Sequence, residues 1–209
     1  MLGEKLDIFD EHGKHVGVQI RSDVHRLGYW HQTFHCWIYR REGDQIHLLF
    51  QKRHPEKDTC PNLLDITSAG HLLAGEQAED GVRELAEELG LHVAYEELSP
   101  IGVIRDEMTG PQIVDKELCH VFLYECDQPL SAYVVQEEEV VGLLWVKLDE
   151  VVDLFAGKTK SIQASGFLVQ EDGIAEYGTQ EVGQSDFVAH EPHYYHQVFA
   201  ALQRLGGRA

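Results

Sequence analysis

The chain has 209 residues, of which 43% are hydrophobic and 25% are charged, an ordinary composition for a globular protein that buries a sizeable core. Its formal net charge of −19 at pH 7 argues against non-specific binding to nucleic acid, which requires a basic surface. No run of 18 apolar residues predicts a membrane span, and the first residues show no signal-peptide pattern. The four cysteines lack paired Cys-x-x-Cys spacing, so we expect reduced thiols in a cytoplasmic protein.

The first predicted elements are strands. Residues 6–9 and 16–20 flank a glycine-containing turn and predict a β-hairpin. A second pair of strands, 34–39 and 46–51, is predicted to lie in the core. Residues 53–62 are polar and contain two prolines, which predicts a loop, and a short extended segment is expected after it.

Residues 70–91 are the most informative stretch, because their second half predicts a short helix that ends at Gly90. With about 100° of rotation per residue, Glu84, Glu87 and Glu88 fall within a sector of about 100° on that helix. Three carboxylates so close together repel one another unless a cation lies between them. A hard divalent cation such as Mg²⁺ or Mn²⁺ prefers oxygen ligands of this kind. The alternative interpretation is a solvated acidic helix face.

The second half of the chain is predicted to contain three strands, a short helix, a hairpin and a C-terminal amphipathic helix. In chain order these are strands 101–105, 117–124 and 140–146, helix 148–155, hairpin 167–177 around residues 171–173, and helix 194–205. Between the first two of these strands, residues 106–111 are polar and predict a loop.

Residues 70–91 resemble the Nudix box, the signature of the Nudix hydrolase superfamily. That signature is a glycine, five residues, a glutamate, seven residues and then Arg-Glu-Φ-x-Glu-Glu-x-Gly-Φ, in which Φ is aliphatic. The matching positions here are Gly70, Glu76, Arg83, Glu84, Leu85, Glu87, Glu88, Gly90 and Leu91. Only six residues separate Glu76 from Arg83, one fewer than in the signature.

The resemblance covers roughly residues 30–155 and implies the α/β fold of the family, a Nudix α/β/α sandwich with a mixed sheet. We therefore expect residues 1–209 to form a single domain. Residues 1–29 would add an N-terminal hairpin, and residues 156–209 would add a C-terminal helical extension.

The same resemblance implies hydrolysis of a diphosphate linkage with Mg²⁺ or Mn²⁺ as the cofactor. It assigns four metal ligands, Glu76, Glu84, Glu87 and Glu88, and it assigns Arg83 the role of holding carboxylates by bidentate pairing. Many family members draw a further acidic residue from outside the box. Glu139, which lies six residues before Trp145, is predicted to fill that role, with Glu117 as a second candidate and a solvated acidic turn as the structural alternative.

A narrower resemblance links residues 24–34 and 65–71 to the branch of the superfamily that is similar to isopentenyl-diphosphate isomerase. In true isomerases a matching set of residues holds a metal, and here that set would be His25, His31, His71, Asp115 and Glu117. The first two histidines are one residue closer than in the isomerase pattern, and Ala69 occupies the position of the catalytic cysteine. We therefore predict a hydrolase rather than an isomerase. The preferred interpretation of the histidines is structural, as buried imidazoles that form hydrogen bonds near the site.

The predicted partner is a small-molecule diphosphate, such as a nucleoside diphosphate or its derivative. Arg53 and Lys52 are candidates for contacts to the substrate phosphates, and a solvated strand end is the alternative. Tyr29, Trp30 and Phe34 offer aromatic surface for a nucleobase, although such residues usually pack in the core. Two other functions stay open, namely isomerase-like activity and a non-catalytic ligand-binding regulator. The long tail is a candidate interface for a homodimer.

Overall fold

The computed structural model describes residues 3–57, 59–110, 113–170 and 172–206. Within these ranges the first strands and helix are β1 (Lys5–Phe9), β2 (His15–Ile20), α1 (Arg21–Leu27), β3 (Trp30–Glu42), β4 (Gln45–Arg53), β5 (Leu64–Asp65) and β6 (Ser68–His71). They are followed by α2 (Arg83–Leu89), β7 (Ser99–Thr109), β8 (Val114–Glu125), β9 (Val140–Lys147), α3 (Leu148–Phe155), β10 (Ser161–Val169), β11 (Ala175–Gly183) and α4 (Pro192–Gly206). No helix in the described ranges has the length and apolar character needed to cross a membrane.

The sheet is mixed, as predicted. Its strands run in the order β11-β10-β9-β4-β3-β1-β2. Strand β8 pairs in parallel with β3 from Trp30 and Lys116 to Tyr39 and Glu125, whereas β7 adds antiparallel to β8. The short strands β5 and β6 pair with β4 and β3. This arrangement brings the loop before α2 next to the central strand.

Helices cover both faces of this sheet, because successive side chains of a strand point in opposite directions. Trp37 and Tyr39 of β3 contribute to the hydrophobic cluster that includes α3 and α4. Cys36 and Ile38 of the same strand contribute to the cluster that includes Leu85 of α2. The predicted α/β/α sandwich is therefore confirmed.

Both terminal extensions join this framework. The N-terminal hairpin is formed by β1 and β2 as predicted, and it is followed by α1, which the sequence analysis did not predict. At the other end, β10 and β11 form the predicted hairpin and extend the sheet beyond β9. Residue 171 of its predicted turn lies outside the described residues. The predicted C-terminal helix is α4, and its Tyr194 is buried in the core.

The prediction of a loop over residues 106–111 is wrong for most of that segment, because β7 continues through Thr109. Asp106 lies inside the strand with 3% of its surface exposed. Its carboxylate faces His190 Nδ1 at 2.6 Å and accepts a hydrogen bond from the backbone N–H of Glu191 at 2.8 Å. Partners that are distant in sequence thus stabilise a polar residue in a strand. Residues 111 and 112 lie outside the described part of the chain.

Candidate active site

A cavity of about 370 Å³ lies where α2, the β5–β6 segment and strands β7 and β8 meet. Its walls contain three kinds of polar groups: the acidic side of α2, a cluster of histidines and carboxylates, and several cationic side chains. Those that matter most here are Glu84, Glu87, Glu88, Glu139, Arg53, Lys57, His25, His71, Asp115 and Glu117. The structure therefore places most of the predicted site residues around a single cavity.

Helix α2 presents its glutamates to the cavity because its two ends are fixed. It follows a 3₁₀ turn over Asp80–Val82 and ends at Gly90, whose φ of +65° is the left-handed conformation that favours glycine. Glu84 and Glu88 lie one turn apart and are buried, whereas the side chain of Glu87 is 55% exposed. A Cβ atom at Gly70 of β6 would overlap the carboxylate of Glu84. The glycine therefore lets helix and strand approach closely.

Burial makes the two inner carboxylates costly to ionise. It raises the pKa of Glu84 to about 7, although the charge of Arg83 opposes this shift. Burial also raises the pKa of Glu88 to about 8, and the neighbouring Glu84 carboxylate adds to the effect. The backbone N–H of Ala69 donates to Glu88 at 3.1 Å. Two adjacent buried carboxylates need a positive partner to be charged together, which fits a divalent cation.

Arg83 connects the loop before α2 to the glutamates of the helix. Its Nε and Nη2 atoms donate to the two carboxylate oxygens of Glu76 at 3.2 and 3.1 Å. Its Nη1 atom contacts Glu84 and lies 3.3 Å from Glu87. Glu76 also accepts a hydrogen bond from the backbone of Leu73 at 2.7 Å and does not line the cavity. Its predicted role as a metal ligand stays a prediction, and this placement does not favour it.

The cations at the cavity differ from the predicted pair. Arg53 lines the cavity, but Lys52 does not. Lys57, which sequence analysis did not single out, lines the cavity and forms an ion pair with Glu139. The backbone carbonyl of Glu139 accepts a hydrogen bond from the N–H of His54 at 2.9 Å, which ties the two rim loops together. No local pattern marked Lys57, because it lies in a polar loop that only the fold brings to the site.

Three histidines from α1, β3 and β6 come together at another part of the wall. The ring centroids of His25, His31 and His71 are 5.1 to 5.2 Å apart. Burial lowers the pKa of His25 to about 4, and it also lowers the pKa of His31 and of His71. All three rings are therefore neutral at pH 7, the form in which imidazole binds metals.

The hydrogen bonds of these rings do not favour the interpretation of the histidines as purely structural. His31 Nδ1 donates to the carbonyl of Tyr29 at 3.1 Å, which leaves the lone pair on Nε2. Among the described residues, the Nε2 atoms of His25, His31 and His71 have no hydrogen-bond partner. Asp115 Oδ1 lies 3.4 Å from His31 Nε2 and also lacks a partner there. Buried, unpaired nitrogen and oxygen atoms that converge in this way fit a divalent transition metal.

Glu117 lies beside this group but has its own partners. Its Oε2 atom accepts a hydrogen bond from Thr33 at 3.4 Å and lies 3.3 Å from His35 Nε2. Burial would raise the pKa of Glu117, but the hydrogen bond with His35 lowers it below the usual range. For Asp115, burial raises the pKa to about 8, with a further contribution from the charge of Glu117.

The predicted aromatic surface for a nucleobase is not at the cavity. Trp30 and Phe34 are buried, and Phe34 stacks on Phe122 in the core. Tyr29 packs against the small cluster under the N-terminal hairpin. None of the three lines the cavity, because alternation along β3 directs the rings of Trp30 and Phe34 away from it, and Tyr29 precedes that strand.

Comparison with known proteins agrees with this architecture. A family model described as the NUDIX domain matches residues 29–165, which is more than half of the chain. The chain belongs to the Nudix hydrolase family. An uncharacterised Nudix hydrolase of Clostridium acetobutylicum is 44% identical to this Nudix protein over 199 residues. The alignment covers 95% of this chain and 97% of the Clostridium protein.

A curated protein and a solved structure are also similar to this Nudix protein. An isopentenyl-diphosphate Δ-isomerase of Corynebacterium diphtheriae is 29% identical over 156 residues, covering 71% of this chain and 81% of that one. A crystal structure of a Deinococcus radiodurans protein shares the fold with a TM-score of 0.56 at 23% identity, covering 74% of this chain and 90% of that one. The predicted likeness to both Nudix hydrolases and isomerases is therefore confirmed.

Proposed function

We propose that this protein hydrolyses a diphosphate linkage in a nucleoside diphosphate derivative or a similar small molecule, with Mg²⁺ or Mn²⁺ as the cofactor. The observation that carries the proposal is that Glu84, Glu87 and Glu88 line the same cavity as Arg53 and Lys57. Carboxylates that hold a cation and cations that hold phosphate oxygens are the two components that diphosphate hydrolysis requires.

Each residue has a defined task in this proposal. Glu84, Glu87 and Glu88 hold the divalent cation, which when bound neutralises the phosphate charge and lowers the pKa of water. Arg53 and Lys57 contact the phosphate oxygens of the substrate. Glu139 at the rim accepts a proton from the attacking water once Lys57 is drawn to the phosphate. Arg83 holds the helix glutamates in position.

The cluster of three histidines supports the binding of a second divalent ion at the same cavity. His25, His31 and His71 supply neutral nitrogen ligands, and Asp115 supplies an oxygen ligand. Such a set selects a borderline transition metal over Mg²⁺. Metal analysis of purified protein by mass spectrometry tests this proposal, since a triple variant with all three histidines replaced by glutamine would lose the transition metal.

Isomerase activity is the second candidate, because this histidine group and the similarity to isomerases both favour it. Moving a carbon–carbon double bond requires an acid and a base that exchange protons at carbon. Ala69 has no group that can transfer a proton, which disfavours isomerase activity. The cysteine nearest to it in sequence is Cys60, which does not occupy the position of the catalytic cysteine. A purely binding function is disfavoured, because a binder has no need for buried carboxylates with raised pKa values.

A panel assay distinguishes these functions. Purified protein with Mg²⁺ or Mn²⁺ is incubated with sugar nucleotides, dinucleoside polyphosphates, nucleoside diphosphates and isopentenyl diphosphate, and products are separated by chromatography. We expect cleavage of a phosphoanhydride bond in at least one compound and no dimethylallyl diphosphate above the level without enzyme. Isomerisation without any hydrolysis would overturn the proposal.

A further inference from the structure

Four charged side chains form a continuous hydrogen-bonded network along one wall of the cavity, and three of them are buried. Arg53 Nη1 donates to Asp65 Oδ2 at 2.7 Å, and His190 Nε2 lies 2.9 Å from Asp65 Oδ1. The other ring nitrogen of His190 lies 2.6 Å from Asp106 Oδ2. The side chains of Asp65, His190 and Asp106 are each exposed by no more than 6%. The charges of the four side chains alternate in sign along this network.

His190 belongs to the C-terminal extension, beyond the residues 29–165 that the family model matches, and joins this hydrogen-bonded network from there. The backbone around it is anchored on both sides. Val188 N donates to Leu64 O at 2.9 Å, and Glu191 N donates to Asp106 Oδ1 at 2.8 Å. The imidazole is therefore fixed between β5 and β7 before α4 begins.

The hydrogen-bond inventory of Asp65 explains why His190 matters for Arg53. Its Oδ1 atom receives the backbone N–H of Ile66 at 2.8 Å as well as His190. These two donors fix the plane of the carboxylate, so that Oδ2 faces Arg53. Arg53 is then held by Asp65 on one side and by the carbonyl of Thr59, 3.0 Å from Nη2, on the other. A guanidinium fixed in this way presents the same face to a bound phosphate each time.

We propose that His190 is a positioning residue for the substrate: it orients Asp65 and, through Asp65, the phosphate-binding guanidinium of Arg53. The C-terminal extension thus completes the anion-binding wall. This inference rests on the proposed function, because it takes Arg53 to be the residue that contacts phosphate. Asp106 has the matching task of holding the opposite side of the imidazole.

A double-mutant cycle with a diphosphate analogue tests the proposal without requiring the natural substrate. The probe is methylenediphosphonate, whose bridging carbon resists hydrolysis, and its Kd is measured by calorimetry on the full chain in Mg²⁺. We expect Arg53→Ala to raise Kd about tenfold or more and His190→Asn to raise it about three- to tenfold. In the Arg53→Ala background, His190→Asn should change Kd by less than about twofold, because its effect acts through Arg53.

His193→Asn is the matched control. His193 also anchors the C-terminal segment to β7, with its ring Nε2 2.7 Å from the carbonyl of Arg105, but it has no contact with Asp65. This variant should bind the probe like the parent protein. If His190→Asn gives no folded protein by circular dichroism, Asp106→Asn carries the same cycle.

Four results would overturn the inference. Equal weakening by His190→Asn in both backgrounds would mean a general structural role. Equal weakening by His193→Asn would mean that docking of α4 is what matters. No binding of the probe by the parent protein, or an unchanged Kd in Arg53→Ala, would show that Arg53 is not the anion contact. The panel assay tests phosphoanhydride cleavage independently of either result.

Discussion

Glu88 illustrates how much a single buried carboxylate is expected to contribute. Replacing it with glutamine preserves the shape and the acceptor for the Ala69 N–H but removes the charge that binds a cation. We expect Glu88→Gln, and likewise Glu87→Gln, to lower kcat by about 10²-fold or more, the scale seen when one preorganised electrostatic group is removed. The assay is steady-state turnover of the best substrate of the panel.

Stability separates this effect from unfolding. The melting temperature of metal-free Glu88→Gln should equal or exceed that of the parent, because a buried carboxylate with a raised pKa is replaced by a neutral amide. Glu138→Gln, an exposed position in the loop next to Glu139, serves as the control and should retain full kcat. A Glu88→Gln enzyme with normal turnover and normal metal affinity would show that another residue is the ligand.

Residues of the site differed in how readable they were from sequence. The glutamates of α2 could be found because their spacing is a local, helical pattern. Lys57 and His190 could not, because each reaches the cavity from a segment whose own sequence is unremarkable. The three histidines were found in the sequence, but only the fold shows that their Nε2 atoms converge without hydrogen-bond partners among the described residues, so the sequence alone favoured a structural role.

At the level of elements, the close approach of β6 and α2 makes a specific prediction. A methyl group at Gly70 would overlap the Glu84 carboxylate, so Gly70→Ala must displace that side chain or the helix. We expect the affinity for Mn²⁺, measured by calorimetry, to fall about tenfold, in line with the loss of well-placed support around a metal site.

The control for this prediction is Gly178→Ala on β11, where an added methyl group meets nothing within 4 Å. It should bind Mn²⁺ like the parent. Unchanged Mn²⁺ affinity in Gly70→Ala would show that Glu84 is not held by this packing or is not a ligand.

The predicted helices and strands were correct where the hydrophobic periodicity is strong. They were missed or misplaced where contacts distant in sequence determine the local structure. The strands of the central sheet and helix α2 follow their hydrophobic patterns. Helix α1 has only seven residues with Val24 as its buried member, too few to show a helical period. Strand β7 continues through Asp106 because His190 and Glu191, more than 80 residues away, satisfy its carboxylate.

For the whole molecule, the buried pair of contacts around His190 makes stability depend on pH. Burial alone would lower the pKa of His190, but the hydrogen bonds that its ring donates to Asp106 and Asp65 raise it to about 10. A group whose pKa is raised on folding stabilises the protein fully below its unfolded pKa of about 6.5, and this stabilisation is lost as pH rises towards 10. The loss should be on the order of 3 kcal/mol or more between those values.

Urea unfolding of the parent and of His190→Asn at pH 6.5, 8 and 9.5 measures this contribution. The difference in unfolding free energy between the two proteins should shrink as the pH rises, because the parent loses the imidazolium and the variant has none to lose. A constant difference across this range would contradict a charged His190 in the folded state.

Metal dependence of phosphoanhydride cleavage is the property that tests most directly whether Glu84, Glu87 and Glu88 form a catalytic metal site. Turnover of the best substrate in the panel is followed after dialysis against chelator, then after addition of millimolar Mg²⁺ or Mn²⁺. We expect no turnover in excess chelator and recovery with either cation, because unneutralised carboxylates repel the phosphates of the substrate. Full activity in excess chelator would contradict it.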